Sequence, residues 1–305
     1  MRALLIVNPH ATATTARRRD LLAHALASQV KLRIAHTTNR GHAAELAARA
    51  AGEGFNLVVV HAGDGTVNET VNGLMAGDPK TRPLLAVVPG GSTNVFARAI
   101  GLDPDPTVAT EQILEALAHR RTRRVSLGKA DDRYFTFNAG LGMDAAVVEE
   151  VEKLRAAGRT ISNSMHVREM LKLYFKTDRS AGGLRLEIPG QQPMTGIQLA
   201  FVSNVDPWTY LGSRPVRTNP GTTIDGGLGV FATRSLSPLT VARVVGQLVR
   251  RDGDPRGEKI IRFDDVLAVT LRSAEPIGFQ ADGDFLGKRT KVVFTSVPDA
   301  LKVVV

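Results

Sequence analysis

The sequence predicts two domains: an N-terminal, doubly wound α/β domain and a second, β-rich domain resembling an antiparallel sandwich. Three observations carry the prediction. Residues 1–124 alternate continuous apolar runs with segments of helical spacing, as parallel strands covered on both faces alternate with their crossover helices. From Val125 the pattern changes to many short β-rich runs punctuated by Gly, Pro and Asp-Gly. With 305 residues and 43% hydrophobic side chains, the chain is long enough to bury two cores.

In the first domain, Ala3–Val7, Lys31–His36, Leu57–Val60 and Leu84–Val88 read as strands. Arg17–Ser28 carries Leu21, Leu22, Ala25 and Leu26 at helical spacing, and Gly41–Gly52 is alanine-rich and helical. Val67–Met75 follows the third strand as a helix, Asn94–Ile100 follows the fourth, and Val108–Ala118 completes the set. In the second domain, 125–298, the strands are Val125–Lys129, Arg133–Ala139, Leu184–Ile188, Thr195–Ser203, Gly229–Thr233, Ile260–Phe263, Val266–Arg272, Ile277–Ala281 and Thr290–Thr295. Asp144–Ala157, His166–Phe175 and Ser237–Arg250 are helical interruptions. Ala300–Val305 is a terminal strand whose domain the pattern leaves open.

Composition narrows the function. No apolar run approaches the ~18 residues that span a bilayer. The absence of cysteine excludes disulfides, thiolate metal sites and thiol nucleophiles, and fits the cytosol. The net charge of +9 favours anionic partners. Its clusters are short (Arg17-Arg18-Arg19, Arg120-Arg121 with Arg123-Arg124, Arg250-Arg251), and 5% aromatics leaves no stacking platform for single-stranded nucleic acid. A membrane surface or a phosphorylated small molecule is therefore the expected partner, and nucleic acid is not.

The chemistry concentrates where strands end. Val58–Ala62 runs into Gly63-Asp64-Gly65-Thr66-Val67-Asn68-Glu69, a carboxylate held between two glycines ahead of a helix. Glycine permits close backbone approach, and a helix start offers unpaired N–H groups to an anion. The loop reads as a phosphate site with a Mg²⁺-compatible acid, or as simple Asp-Gly turn chemistry. Pro89-Gly90-Gly91-Ser92-Thr93-Asn94 reads as a second phosphate or adenosine cradle, or as a helix cap. Asn8-Pro9 and Thr37 end two further strands. In parallel sheets ligands sit at the carboxyl ends of strands, so the convergence says more than any one loop.

Several familiar motifs are absent. There is no G-x-x-x-x-G-K-[ST] and no strand-linked G-x-G-x-x-G. Asn94 stands where a nucleophile elbow needs glycine, and the histidines lack metal spacing. His61 reads as a strand-end packing residue rather than a base. Asp225-Gly226 and Asp282-Gly283 carry hairpin signals. Asp282-Gly283-Asp284 also sets two acids around a glycine, as a phosphoryl transferase could use.

Taken together these segments resemble the catalytic domains of diacylglycerol and sphingosine kinases, most closely the bacterial lipid kinases. The matching residues are Asn8-Pro9; Thr37 with Gly41-His42-Ala43; Gly63 through Glu69; Pro89 through Asn94 with Phe96-Ala97; Phe137-Asn138-Ala139-Gly140; Asp225-Gly226-Gly227-Leu228; and Asp282-Gly283-Asp284. They keep the family's order and span nearly the whole chain. The Gly63–Glu69 loop motif is shared with a wider kinase group that includes NAD kinases and phosphofructokinases; the later loops are more specific.

The resemblance implies an ATP-binding domain over 1–124, with 299–305 returning to it, a lipid-substrate domain over 125–298, and an active site in the cleft. It implies that ATP contacts Asn8, Pro9, Thr37, the Gly63, Asp64, Gly65, Thr66, Asn68 and Glu69 loop, and Gly91, Ser92, Thr93 and Asn94. Asp64 is implied at the Mg²⁺–phosphate centre. Asp225 would hold a second, structural Mg²⁺ with backbone oxygens of Thr222 and Gly227, and Asp284 takes the place of the general base. This chain departs from the family at three places: Asp284 where Glu is usual, Val95 where Asp usually follows Asn, and no glycine or serine in Asn8-Pro9-His10-Ala11-Thr12.

The expected function is ATP- and Mg-dependent phosphorylation of a lipid hydroxyl, diacylglycerol first, by a cytoplasmic enzyme peripheral to the inner face of an anionic membrane. Met165–Phe175 and Trp208-Thr209-Tyr210-Leu211 are candidate lipid or membrane contacts, with packing as the alternative for each. A kinase of a soluble substrate such as NAD, and a non-catalytic lipid- or nucleotide-binding relative, are the rivals. Oligomeric state, including a homodimer, stays open.

Overall fold

The computed structural model describes residues 1–11, 16–142, 145, 183–248, 250 and 252–305. The chain forms two compact units, residues 1–127 with 298–305, and residues 128–297.

The first unit is built on β1 (Arg2–Val7), β2 (Lys31–His36), β3 (Leu57–Ala62) and β4 (Leu84–Pro89). They are parallel, in the order β2-β1-β3-β4. The three inner strands are almost wholly Val, Leu, Ile and Ala and are buried almost throughout, whereas the edge strand β2 is not. The chain's last residues add at the β4 edge, with Val303 parallel to Leu85. Arg82 ties them down, its Nη1 donating to Ala300 O at 2.8 Å and its Nε to Leu74 O at 2.9 Å.

Among the described residues five helices serve this sheet: α1 (Ala16–Ala27), α2 (His42–Ala50), α3 (Asp64–Met75), α4 (Val95–Ala99) and α5 (Pro106–Ala118). α1 packs with α5, and α2 with α3. The second pair is close because Gly73 has no side chain; a Cβ there would lie 2.2 Å from Ala44 O. α5 is capped by Asp105, whose carboxylate accepts the N–H groups of Thr107 and Val108, with Pro106 in its first turn.

The second unit is strand-rich. β5 (Thr122–Ala130) enters it and turns into β6 (Arg133–Phe135). There follow β7 (Asn138–Leu141), β8 (Leu184–Glu187), β9 (Met194–Ile197), β10 (Leu199–Ser203), β11 (Thr209–Leu211), β12 (Arg214–Val216), β13 (Leu228–Thr233), α6 (Pro238–Leu248), β14 (Ile260–Val266), β15 (Ala268–Ala281) and β16 (Asp284–Val304). β14-β13-β10-β7-β15-β16 pair antiparallel in that order, and β8 joins β15. Phe294 lies edge-on to Phe135 and Phe279 in the core, with centroids 6.3 and 6.5 Å apart.

Some expected boundaries move. Arg133–Ala139 divides into β6 and β7, because the backbone N–H groups of Thr136, Phe137 and Asn138 turn to the buried Asp282 carboxylate instead of a neighbouring strand. Thr195–Ser203 divides because β9 pairs with β8 while β10 pairs with β7 and β13. The two runs between Val266 and Ala281 are one strand, with a register shift between Arg272 and Ile277. Thr209–Val216 forms a small hairpin that alternation did not reveal. Asp144–Ala157, apart from Ala145, and His166–Phe175 lie outside the described residues.

Candidate active site

The parallel register builds one end of the first unit. Val7 pairs with both His36 and His61, and His61 with Val88. Four strands therefore finish level, and Asn8, Thr37, Gly63 and Gly90 begin the loops that leave them.

Glycines let two of these loops touch backbone to backbone. A Cβ on Gly91 would lie 2.8 Å from Gly63 Cα, and one on Gly90 would lie 2.9 Å from Ala62 Cα. Helix α3 begins at Asp64, three residues before the expected start at Val67. Gly63 is its extended N-cap, and the Val67 N–H closes the first turn on Gly63 O at 3.1 Å. Asp64, Gly65 and Thr66 thus lie in a helix's first turn, where N–H groups lack intrahelical acceptors. A Cβ on Gly65 would meet nothing within 4 Å, so its backbone borders open space.

The other loop residues have internal partners. Asn8 donates from Nδ2 to Thr66 Oγ1 at 3.0 Å, and its Oδ1 accepts the His10 N–H at 2.9 Å; Pro9 is exposed beside it. Glu69 Oε1 accepts the Gly41 N–H at 2.9 Å and fixes the left-handed turn (φ 86°) that opens α2. Asn68 is fully buried and bonded to Asn72, and Thr37 is also buried. Asn94 Oδ1 accepts the Gly91 N–H at 2.9 Å while its Nδ2 donates to Gly91 O at 2.8 Å. The Gly91 N–H is thereby committed within the protein, and Asn94 shapes the turn. Ser92 stays exposed, its hydroxyl 3.5 Å from that of Thr93. His61 is buried with Nδ1 3.2 Å from Val88 O, and burial holds its imidazole below the ordinary range. It packs, as its strand position predicts.

In the second unit, Asp282 and Gly283 occupy a tight turn with φ of 49° and 79°, and Ala281 pairs with Asp284 across it. Asp282 is buried and points inward. Its Oδ2 accepts the Thr136 N–H and hydroxyl at 2.6 and 2.7 Å; its Oδ1 accepts the Phe137 and Asn138 N–H groups at 2.9 and 3.1 Å. Burial pushes its carboxyl up, against the downward pull of those four donors. Asp284 is the less enclosed of the two acids: its side chain is 15% exposed, with Oδ2 3.7 Å from Arg133 Nη2.

The loop carrying Thr222, Asp225 and Gly227 is braced by acids that motif reading passed over. Asp265 Oδ1 accepts the Gly227 N–H at 2.6 Å, and Asp264 Oδ1 lies 3.5 Å from Thr222 Oγ1. Asp225 is exposed, and among the described residues no group of three His, Cys, Asp or Glu side chains forms a ready metal cluster. Trp208 is half-buried, its ring packed on Phe201 with centroids 5.2 Å apart, and Leu211 in the same stretch is exposed.

A model of the diacylglycerol kinase catalytic domain matches residues 2–130. The diacylglycerol kinase of Bacillus subtilis (strain 168) is 39% identical over 253 residues, covering 82% of this chain and 78% of that protein. This chain belongs to the diacylglycerol kinase family. The Staphylococcus carnosus (strain TM300) diacylglycerol kinase is 28% identical, over 83% of this chain and 78% of that one. The fold is also that of a crystal structure of a diacylglycerol kinase from Bacillus anthracis strain Sterne, at TM-score 0.72 and 21% identity, over 99% of this chain and 96% of that one. An NAD kinase from Archaeoglobus fulgidus in complex with ATP has a related fold, at TM-score 0.54 and 10% identity, covering 100% and 94%.

As a lipid-kinase family member the protein is an enzyme of the kinase class. No helix among its described residues is long and apolar enough to cross a membrane.

Proposed function

We propose that this chain transfers the γ-phosphate of ATP to the free hydroxyl of diacylglycerol, giving phosphatidic acid and ADP. The observation that carries the reading is the open backbone at Gly65, in the first turn of α3, at the level end of four parallel strands. That is where a phosphate finds unpaired N–H groups and a favourable helix dipole. The identity to the B. subtilis diacylglycerol kinase supports the acceptor class.

In this reading, the Asp64–Thr66 turn and Ser92 hold the nucleotide phosphates, with Asn8 and Thr37 bordering the site. Asn94 and Glu69 act indirectly, by fixing the two loops. The acceptor oxygen attacks the γ-phosphorus, the bond from that phosphorus to the β–γ bridging oxygen breaks, and Asp284 takes the hydroxyl proton. Asp284 suits this role because its carboxylate is partly exposed, while both oxygens of Asp282 are taken by four internal donors. Arg133 Nη2 lies 3.7 Å from Asp284 Oδ2, beside the carboxylate and beyond hydrogen-bonding distance.

The donors at Thr222 O, Asp225 and Gly227 O are all oxygen, the hard set that a divalent cation such as Mg²⁺ takes, with water completing the shell. Asp64 is the acid available to a catalytic Mg²⁺. When bound, that ion neutralises phosphate charge. A cytoplasmic enzyme working at the inner membrane face fits a lipid acceptor and the +9 charge.

Labelled ATP offered with diacylglycerol, sphingosine and NAD tests the reading. Label in phosphatidic acid supports it; label only in NADP supports the soluble-substrate rival raised by the NAD kinase fold.

A further inference from the structure

Helix α6 has eleven residues and none is buried. Thr240, Val241, Val244, Gln247 and Leu248 are half-buried and form its inner side, while Pro238, Leu239, Ala242, Arg243, Val245 and Gly246 are exposed. At 3.6 residues per turn the exposed set forms one outward face. Leu239 is 74% exposed and Val245 44%. A helix face turned to water ordinarily carries polar and charged residues. Here Arg243 is the helix's only charged side chain. Arg234 precedes the helix and Arg250 follows it; both are exposed, and neither they nor Arg243 make a side-chain ion pair among the described residues. Asp252 is the acid near in sequence with no described ion pair, since Asp254 is held by Arg256 and Arg262.

An apolar outward face rimmed by unpaired arginines fits one kind of surface. We propose that α6 docks on an anionic lipid bilayer, with Leu239, Ala242 and Val245 entering the headgroup–acyl boundary and Arg234, Arg243 and Arg250 meeting lipid phosphates. Interfacial helices combine these two features. A second copy of the chain fits less well, because a two-fold pairing across α6 would set Arg243 against its own copy. The proposal rests on the lipid-kinase reading and names the surface that meets the membrane. It is measured without nucleotide or diacylglycerol, so docking and phosphoryl transfer can fail separately.

The chain has no cysteine, so Leu239→Cys gives a single site for an environment-sensitive fluorophore on the full chain. On vesicles of phosphatidylcholine with phosphatidylglycerol the emission should shift to the blue and rise several-fold; on phosphatidylcholine alone it should not. Arg234→Glu combined with Arg243→Glu and Arg250→Glu, or Leu239→Ser with Val245→Ser, should reduce sedimentation with anionic vesicles by about tenfold or more while leaving the melting temperature unchanged. The proposal is overturned if the label stays in water while the protein sediments, if the variants sediment like the parent, or if the blue shift follows protein concentration without vesicles, as self-association would.

Discussion

Asp282 accepts two hydrogen bonds from Thr136, one from its backbone N–H at 2.6 Å and one from its hydroxyl at 2.7 Å, although the two residues lie 146 positions apart. With the N–H groups of Phe137 and Asn138 these bonds lock the β15–β16 turn onto the segment between β6 and β7. Asp284, two residues on, takes its position from that lock. The acid that looks catalytic in a motif can be the one that holds the other in place.

Removing the lock should be severe. Asp282→Ala strands three buried N–H groups, each costing about 1–3 kcal/mol, so urea unfolding should reveal a loss of at least about 3 kcal/mol. Thr136→Val removes one donor of the four and should cost about 1 kcal/mol.

Gly65 and Gly91 should separate binding from folding. Gly65→Ala meets nothing within 4 Å and lies in a helix, so stability should hold or rise by up to about 1 kcal/mol while ATP affinity falls about tenfold. Gly91→Ala would drive a methyl to 2.8 Å from Gly63 Cα, so stability and nucleotide binding should fall together. Thermal melts and isothermal titration with ATP read both.

His61 should make stability pH-dependent. Burial lowers its folded pKa below 6.5, so the folded state resists a proton that the unfolded chain accepts. Its stabilising contribution is complete above pH 6.5 and is lost as pH falls from there toward the lowered folded value. The urea midpoint of the parent should drop over that window more than that of His61→Gln.

Arg133 should help to hold the base. With its guanidinium, 3.7 Å from the Asp284 carboxylate, gone, Arg133→Gln should lower kcat about tenfold while ATP affinity holds, and Arg133→Lys should restore it in part. An unchanged kcat would mean that Arg133 does not act through Asp284.

Much of the first unit was legible because both faces of its sheet are covered. Leu4–Val7, Val58–Val60 and Leu85–Val88 are unbroken apolar runs, and period and turn residues mark their ends. The loops they deliver were legible for the same reason. What stayed hidden depends on distant partners. Nothing local in Arg133–Ala139 foretells that a carboxylate far along the chain will take three of its N–H groups. The bonds of Glu69 to Gly41 and of Asn94 to Gly91 appear only once the loops meet. Asp264 and Asp265 escaped notice because they sit in a strand, with no motif around them.

The central claim is phosphoryl transfer to a lipid with Asp284 as base. The most direct measurement incubates γ-labelled ATP and diacylglycerol vesicles with the parent chain and with Asp284→Asn, alongside ATP titration of both. The account predicts labelled phosphatidic acid from the parent and none from Asp284→Asn, with ATP binding equal in the two. Labelled lipid from Asp284→Asn at the parent rate, or none from a parent chain that binds both ATP and lipid, would contradict it.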